Sequence, residues 1–184
     1  MRARAIALKA CFDNLHLQIL ICLQLADGTL IKNLSGHGSA IAHLNFSPNG
    51  KILASASWDN TIKIWQLPEG KLLNTLIEHK NGVTSLSFHP DGQILASGSA
   101  DSTIKLWNTK DGTAIKTLLG HSGKINSLSF SPDGKMLVTG GEDAGVTLWD
   151  FDLDDLIKQG CARLENYLEN NYNLKAGDRA ICNS

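Results

Sequence analysis

Short runs of alternating apolar and polar residues, separated by turn sequences, fill the middle of the chain. Val83–Phe88 and Ile94–Ser99 form one such pair, with the period-two alternation of half-buried strands. Between them stands HPDG (His89–Gly92), and the same kind of tetrad recurs as SPNG (Ser47–Gly50) and SPDG (Ser131–Gly134). Pro presets φ at the second position, Asn or Asp tolerates the third, and Gly supplies the left-handed residue that reverses the chain. A second tight turn is expected at Asp59, Asp101 and Asp143, each followed by a strand: TIKIW, TIKLW and GVTLW. Pro68–Gly70 and Lys110–Gly112 then turn the chain into a further strand, LLNTLI or AIKTLL. The pattern predicts four antiparallel strands per unit and leaves no room for a helix inside it.

The unit repeats. His79, Ser97, Asp101 and Trp107 recur 42 residues earlier as His37, Ser55, Asp59 and Trp65, and 42 residues later as His121, Thr139, Asp143 and Trp149. A period in the forties built from short strands predicts a propeller or array, whose blade is a four-stranded sheet. The expected fold is all-β: a partial β-propeller of three full-motif repeats plus a degenerate half-blade, with a short α-helical C-terminal tail. The expected divisions are an unassigned segment 1–16, a half-blade 17–35, repeats 36–77, 78–119 and 120–152 (the last without its outer strand), and a helical extension 153–184. In the half-blade Gln24, Leu25, Gly28 and Leu34 match Gln66, Leu67, Gly70 and Leu76, but Leu17 and Leu23 stand where Asp and Trp are expected. In the tail Leu153, Leu156, Ile157, Leu164, Tyr167 and Leu168 recur at helical spacing, a stripe suited to docking on the propeller or a partner.

The chain has 184 residues and a formal charge of −1, so nothing draws it strongly to nucleic acid or an anionic membrane. Cys11, Cys22, Cys161 and Cys182 all lie outside the repeats and suit free thiols in a reducing compartment, with a bond between the last two left open. The N-terminus lacks the features of a signal peptide. The apolar run Leu15–Leu25 is too short to cross a bilayer and carries His16, Gln18 and Gln24. The expected location is cytoplasmic. Ser, His and Asp together invite a nucleophilic-triad reading. Three equal copies, each tied to a Trp, argue instead for internal hydrogen bonding, because a catalytic site needs one exposed constellation with an oxyanion hole. His16, His43 and His89 show no metal-ligand spacing, and the glycines are turn glycines, so no metal and no cofactor are expected.

These spacings, with Gly36-His37 and Gly120-His121 ahead and Trp149-Asp150 behind, resemble the WD-repeat β-propeller family over about Ile19 to Asp150. Departures are local: Glu78 precedes His79 in place of Gly, Trp65-Gln66 and Trp107-Asn108 replace the closing dipeptide, and Gly145 stands where Thr61 and Thr103 stand. The resemblance implies that each four-residue set is a hydrogen-bonded relay from indole through hydroxyl and imidazole to carboxylate. It also implies a protein or peptide partner on the face bearing Ala40, Ala42 and Trp58; Gly82, Thr84 and Ala100; and Lys124, Asn126 and Glu142. Trp58 stands out, since its equivalents Ala100 and Glu142 show that the repeat does not require an aromatic there, and exposed Trp is enriched at binding hot spots. Its alternative use is packing over a neighbouring blade. The tail, with Gly160-Cys161, Tyr167-Leu168 and Asp178–Cys182, resembles the helical C-terminal extension of bacterial, cyanobacterial-type WD-repeat proteins.

The implied function is a non-catalytic protein-interaction scaffold. The alternatives are a sensor or regulatory portion of a larger signalling NTPase or kinase and, remotely, a Ser–His–Asp hydrolase. Three and a half blades leave open sheet edges, which predicts either further blades from a longer chain or self-association of copies.

Overall fold

The computed structural model describes residues 19–23 and 30–151. Segment 1–16, the expected tail helix and three of the cysteines (Cys11, Cys161 and Cys182) therefore lie outside the described residues. All described elements are strands. β1 (Ile19–Leu23) and β2 (Leu30–Ser35) form an antiparallel pair. β3 (Ile41–Phe46), β4 (Ile52–Ser57), β5 (Ile62–Gln66) and β6 (Lys71–Leu76) form a four-stranded sheet in chain order, here the first sheet. β7 (Val83–Phe88), β8 (Ile94–Ser99), β9 (Thr103–Asn108) and β10 (Ala114–Leu119) form the second sheet. β11 (Ile125–Phe130), β12 (Met136–Gly141) and β13 (Val146–Asp150) form the third, which is three-stranded.

Each hairpin follows from its turn residues. In SPNG, Gly50 takes φ 68°, and its amide donates to the Ser47 carbonyl at 2.8 Å. The Ser47 hydroxyl accepts from the amide of Ile52 at 3.0 Å, so the tetrad closes the β3–β4 hairpin from both sides. The turn after each lattice Asp places Asn60, Ser102 and Ala144 at positive φ, where Asn is comfortable and Ala is not.

The core lies between sheets. Ala54, Ala56, Ile62 and Ile64 of the first sheet bury against Val83, Leu86 and Phe88 of the second. Ala96, Ile104 and Leu106 of the second bury against Ile125, Leu128 and Phe130 of the third. β4 and β8 are therefore buried along almost their whole length, although a single-sheet reading of their sequence expects one wet face. Small residues make the approach possible: a Cβ on Gly98 would sit 2.5 Å from Cγ2 of Ile125.

Polar groups tie the sheets together as well. The amides of Leu86 and Phe88 donate to His43 Nδ1 and Asn45 Oδ1 of the preceding sheet, at 3.2 and 2.9 Å. One sheet further on, the amides of Leu128 and Phe130 donate to the hydroxyls of Ser85 and Ser87, both at 3.1 Å. The first strands of the second and third sheets thus hand their open-edge N–H groups to side chains 43 residues earlier.

Candidate functional site

Each lattice set closes as a chain of hydrogen bonds. In the first sheet the Trp65 indole N–H donates to Ser55 Oγ (2.8 Å), Ser55 meets His37 Nε2 (2.8 Å), and His37 Nδ1 meets Asp59 Oδ2 (2.8 Å). In the second, Trp107, Ser97, His79 and Asp101 repeat it at 2.8, 2.8 and 2.9 Å. In the third, Trp149, Thr139, His121 and Asp143 follow at 3.0, 2.9 and 2.9 Å. A carboxylate only accepts, so Nδ1 carries the proton. Nε2 then accepts from the hydroxyl, whose oxygen takes the indole N–H. Among the described residues no buried side-chain nitrogen or oxygen lacks a partner.

The carboxylate is the anchor of each set. Asp59 also accepts from the amides of Gly38 (2.7 Å) and Thr61 (2.9 Å) and from the Thr61 hydroxyl (2.7 Å). Burial raises the Asp59 pKa, but the bonds from Thr61, Gly38 and His37 outweigh it and hold it at about 2. Asp101 is held at about 2 in the same way: burial opposes, and Thr103, the Lys80 amide and His79 prevail. Asp143 reaches about 2 chiefly through His121 and the amides of Ser122 and Gly145. Burial pulls the pKa of both His37 and His79 down, against the upward pull of their carboxylates, so each imidazole is held neutral.

The third set is thinner. Gly141 replaces Ser57 and Ser99, whose hydroxyls accept from the amides of Asp59 (3.1 Å) and Asp101 (3.0 Å). Gly145 replaces the Thr whose hydroxyl bonds Asp59 and Asp101 in the other two sets.

Outside the lattice, the residue before each Asp is pinned to the third residue after each His. The Trp58 amide donates to the Ala40 carbonyl at 3.0 Å, Ala100 to Gly82 at 2.8 Å, and Glu142 to Lys124 at 2.8 Å. The side chains then reach across sheets. The Trp58 ring lies on Gly82 of the second sheet yet stays 45% exposed. The Lys124 ammonium of the third sheet stands 6.0 Å from the Trp58 ring centroid and pairs with Glu142 at 2.7 Å. Trp58, Gly82, Lys124 and Glu142 are thus brought together from three sheets. Ala40, Ala42 and Asn126 are exposed, and Ala100 is half-buried. Of the nine expected contact residues, Gly82 is buried and Thr84 is half-buried with its hydroxyl engaged. Gly82 is buried under the indole, and the Thr84 hydroxyl donates to the carbonyls of Gly98 and of Ile125 in the next sheet.

His43 and His89 have structural work that their isolation in sequence hides. His43 accepts the Leu86 amide, while His89 pairs with Asp91 at 2.8 Å and meets the Phe130 ring edge-on at 5.1 Å. The signal for His43, Asn45, Ser85 and Ser87 was present, as polar residues at matching places in consecutive first strands. It becomes legible only once the sheets are stacked.

A stack of antiparallel sheets, two of them four-stranded and one three-stranded, each locked by a Trp–hydroxyl–His–Asp relay, defines a β-propeller blade array. The family described as "WD domain, G-beta repeat" matches residues 28–66, 70–108 and 112–150, together more than half of the chain, and the chain belongs to this WD40 family. It is similar to Periodic tryptophan protein 2 homolog of Neurospora crassa, 50% identical over 38 residues, which are 21% of this chain and 4% of that protein. It also matches Ribosome assembly protein 4 of Chaetomium thermophilum, 46% identical over 35 residues (19% of this chain, 7% of that protein). POC1 centriolar protein homolog A of Danio rerio is 49% identical over 41 residues (22% of this chain, 10% of that protein). The matches therefore span about one repeat and a tenth or less of each relative, all three being eukaryotic.

Proposed function

We propose that the chain is a non-catalytic protein-interaction scaffold that binds a protein or peptide segment on the surface around Trp58, Lys124 and Glu142, with Ala40, Ala42, Ala100 and Asn126 beside them. The observation that carries this reading is the burial of the lattice hydroxyls. Ser55, Ser97 and Thr139 are each 0% exposed, so no substrate carbonyl reaches the hydroxyl that each described relay holds against imidazole Nε2. The neighbouring turn residues, by contrast, present an exposed indole beside a cation and a carboxylate, which suits an apolar anchor flanked by charge.

The comparisons agree with a scaffold role in so far as one matched relative is named for ribosome assembly. Gly160-Cys161, Tyr167-Leu168 and Asp178–Cys182 support a bacterial multi-repeat WD origin, the 42-residue spacing supports repeats framed at 36–77, 78–119 and 120–152, and the unpaired spacing of the cysteines supports a cytoplasmic location.

Affinity capture with the whole chain and with a Trp58→Ala/Lys124→Glu variant of equal melting temperature tests the proposal. The expected result is a protein retained by the wild type and lost from the variant. Equal retention moves the site off this surface, and turnover of ester or peptide substrates that disappears in Ser97→Ala overturns the non-catalytic reading.

A further inference from the structure

We propose that the groove between the outer strands of the second and third sheets is the seat of the chain's own next segment, residues 152–157, with Leu153, Leu156 and Ile157 on its apolar walls and Asp154 and Asp155 beside Lys116 at its rim. The inference does not rest on the binding surface around Trp58.

The groove holds about 460 Å³ and is apolar apart from His89 and Asp150. Ile94, Leu106 and Leu118 of the second sheet form one wall, and Trp149 and Phe151 of the third form the other. It leaves the third relay uncovered. Trp65 and Trp107 are 3% and 2% exposed, whereas Trp149 is only half-buried. Leu118 is likewise half-buried, where its equivalent Leu76 is 4% exposed. Apolar area of this kind, concave and open, marks a place for an apolar segment.

The matching groove between the first and second sheets is closed by the turn Lys110–Gly112. A Cβ on Gly112 would sit 2.9 Å from Leu76 Cδ2 and 3.1 Å from Asn74 Nδ2. The residues 42 places on from that turn are 152–154. The chain is still on the repeat path when it reaches them. The Phe151 amide donates to the Lys135 carbonyl (2.7 Å), as Leu67 does to Lys51 (2.8 Å) and Thr109 to Gln93 (3.0 Å). The Phe151 ring lines the groove, edge-on to Phe130 at 5.3 Å. The other bare apolar surface, around Val146 and Leu148, lies on the opposite side of β13 from Trp149, since residues alternate along a strand. Residue 152 therefore starts at the groove and not at that surface.

From here the sequence departs from the repeat in the direction of a plug. Gly70 and Gly112 close their turns at φ 67° and 77°, with amides donating to the Gln66 and Asn108 carbonyls at 2.8 Å. Asp154 stands in their place without glycine's freedom in that region. Leu153 replaces the exposed acids Glu69 and Asp111. Leu156 and Ile157 follow at the three- and four-residue spacing that puts side chains on one side of a helical turn. The rim changes to match. Asn74, one pleat from Leu76, is replaced by Lys116, one pleat from Leu118, and among the described residues no carboxylate pairs with Lys116. The arriving segment brings Asp154 and Asp155, so charge complements charge where the earlier groove has an amide beside a glycine.

Two experiments on the whole 184-residue chain test this. The first changes the tail alone. In a Trp58→Phe background, Leu156→Lys/Ile157→Lys is expected to shift tryptophan emission to the red and to raise its quenching by acrylamide, because Trp149 loses its cover. Emission and quenching that stay the same overturn the proposal. The second replaces the four native cysteines by Ser and pairs Leu156→Cys with either Leu118→Cys or Val146→Cys, each treated with a short bismaleimide. Linkage within one chain is expected for the Leu118 pair and not for the Val146 pair. Linkage through Val146 instead puts the tail on the outer face of the third sheet, linkage at twice the chain mass puts it on a second copy, and no linkage leaves the groove to another occupant. Each of these overturns the proposal. Should the cysteine-free chain lose its cooperative melt, the emission comparison alone decides.

Discussion

The indole of Trp58 rests on the α-carbon of Gly82, so that a Cβ at Gly82 would fall 2.2 Å from Cε3 of the ring. The only exposed tryptophan among the described residues is therefore held in place by the absence of a side chain in the next sheet. Gly82→Ala is expected to displace the ring, costing about 1–3 kcal/mol through overpacking. Its tryptophan emission should shift to the red, as solvent reaches an indole that now lies partly on the protein. A Trp58→Phe protein identifies which emission moves; a Gly82→Ala spectrum that matches the wild type contradicts the contact.

In the third sheet the lock can be improved. Ala144 sits at φ 57°, where the first sheet has Asn60 at φ 70°, and Gly145 stands where Thr61 donates to Asp59. Ala144→Asn is expected to stabilise by roughly 1 kcal/mol, because Asn tolerates the left-handed region. Gly145→Thr adds a hydroxyl donor to Asp143, and its new Cβ falls 3.2 Å from Asp143 Oδ1, so the carboxylate must yield by a few tenths of an ångström. The expected gain is about 1 kcal/mol, the usual net worth of one hydrogen bond. Both changes are read as a rise in the urea midpoint, and a fall in both would contradict the account of this turn.

Ser85→Ala removes the acceptor for the Leu128 amide, which is buried between the second and third sheets at 3.1 Å. An orphaned buried amide costs about 1–3 kcal/mol. Ser127→Ala, at the equivalent place on an uncovered strand, is expected to leave a monomer's stability within about 0.5 kcal/mol of wild type, as for surface changes generally. Denaturant titration of the two variants separates the cases. Equal losses would show that the side-chain-to-amide bonds do not join the sheets.

Acid weakens the fold in two stages. His37 and His79 lie below the ordinary value of 6.5 because burial disfavours their charge, so the unfolded chain takes up a proton first. Their contribution is full above about 6.5 and falls as pH drops through that value towards the folded pKa. Asp59 and Asp101 lie at about 2 against 3.8 unfolded, so their contribution is present above about 3.8 and is lost as pH falls towards 2. The two effects have the same sign. Melting temperature is expected to decline below pH 6.5 and to fall more steeply below 3.8, and Asp59→Asn should flatten the lower limb. A melting temperature that holds steady from pH 7 to 3 would contradict both assignments.

The repeat unit was legible because its punctuation is chemical: SPNG, HPDG and SPDG can only be turns, and His, Ser, Asp and Trp at fixed spacing demand one another once buried. The relay was expected from the family resemblance and a tight turn at each Asp from the spacing, but the positive φ of Asn60, Ser102 and Ala144 was not legible. What connects one sheet to the next was not legible. Thr84 reads as a surface residue and is a tie to Ile125, because its role depends on a strand 41 residues away. Burial of β4 and β8 on both faces was hidden likewise, since ILASAS and ILASGS alternate as one-sided strands and their small residues look neutral until a neighbour packs on them. Trp58 lay between: packing over a neighbouring blade was one of its two expected uses, but the glycine that receives the ring was not picked out.

The central claim is that each Ser–His–Asp–Trp set is one coupled structural lock. A double-mutant cycle in the second sheet tests it most directly, using urea unfolding of Ser97→Ala, Trp107→Phe and the double variant. Both side chains are buried and joined at 2.8 Å, so the account predicts that the double variant loses less than the sum of the single losses, with a coupling of about 0.5–3 kcal/mol. Losses that simply add would contradict it.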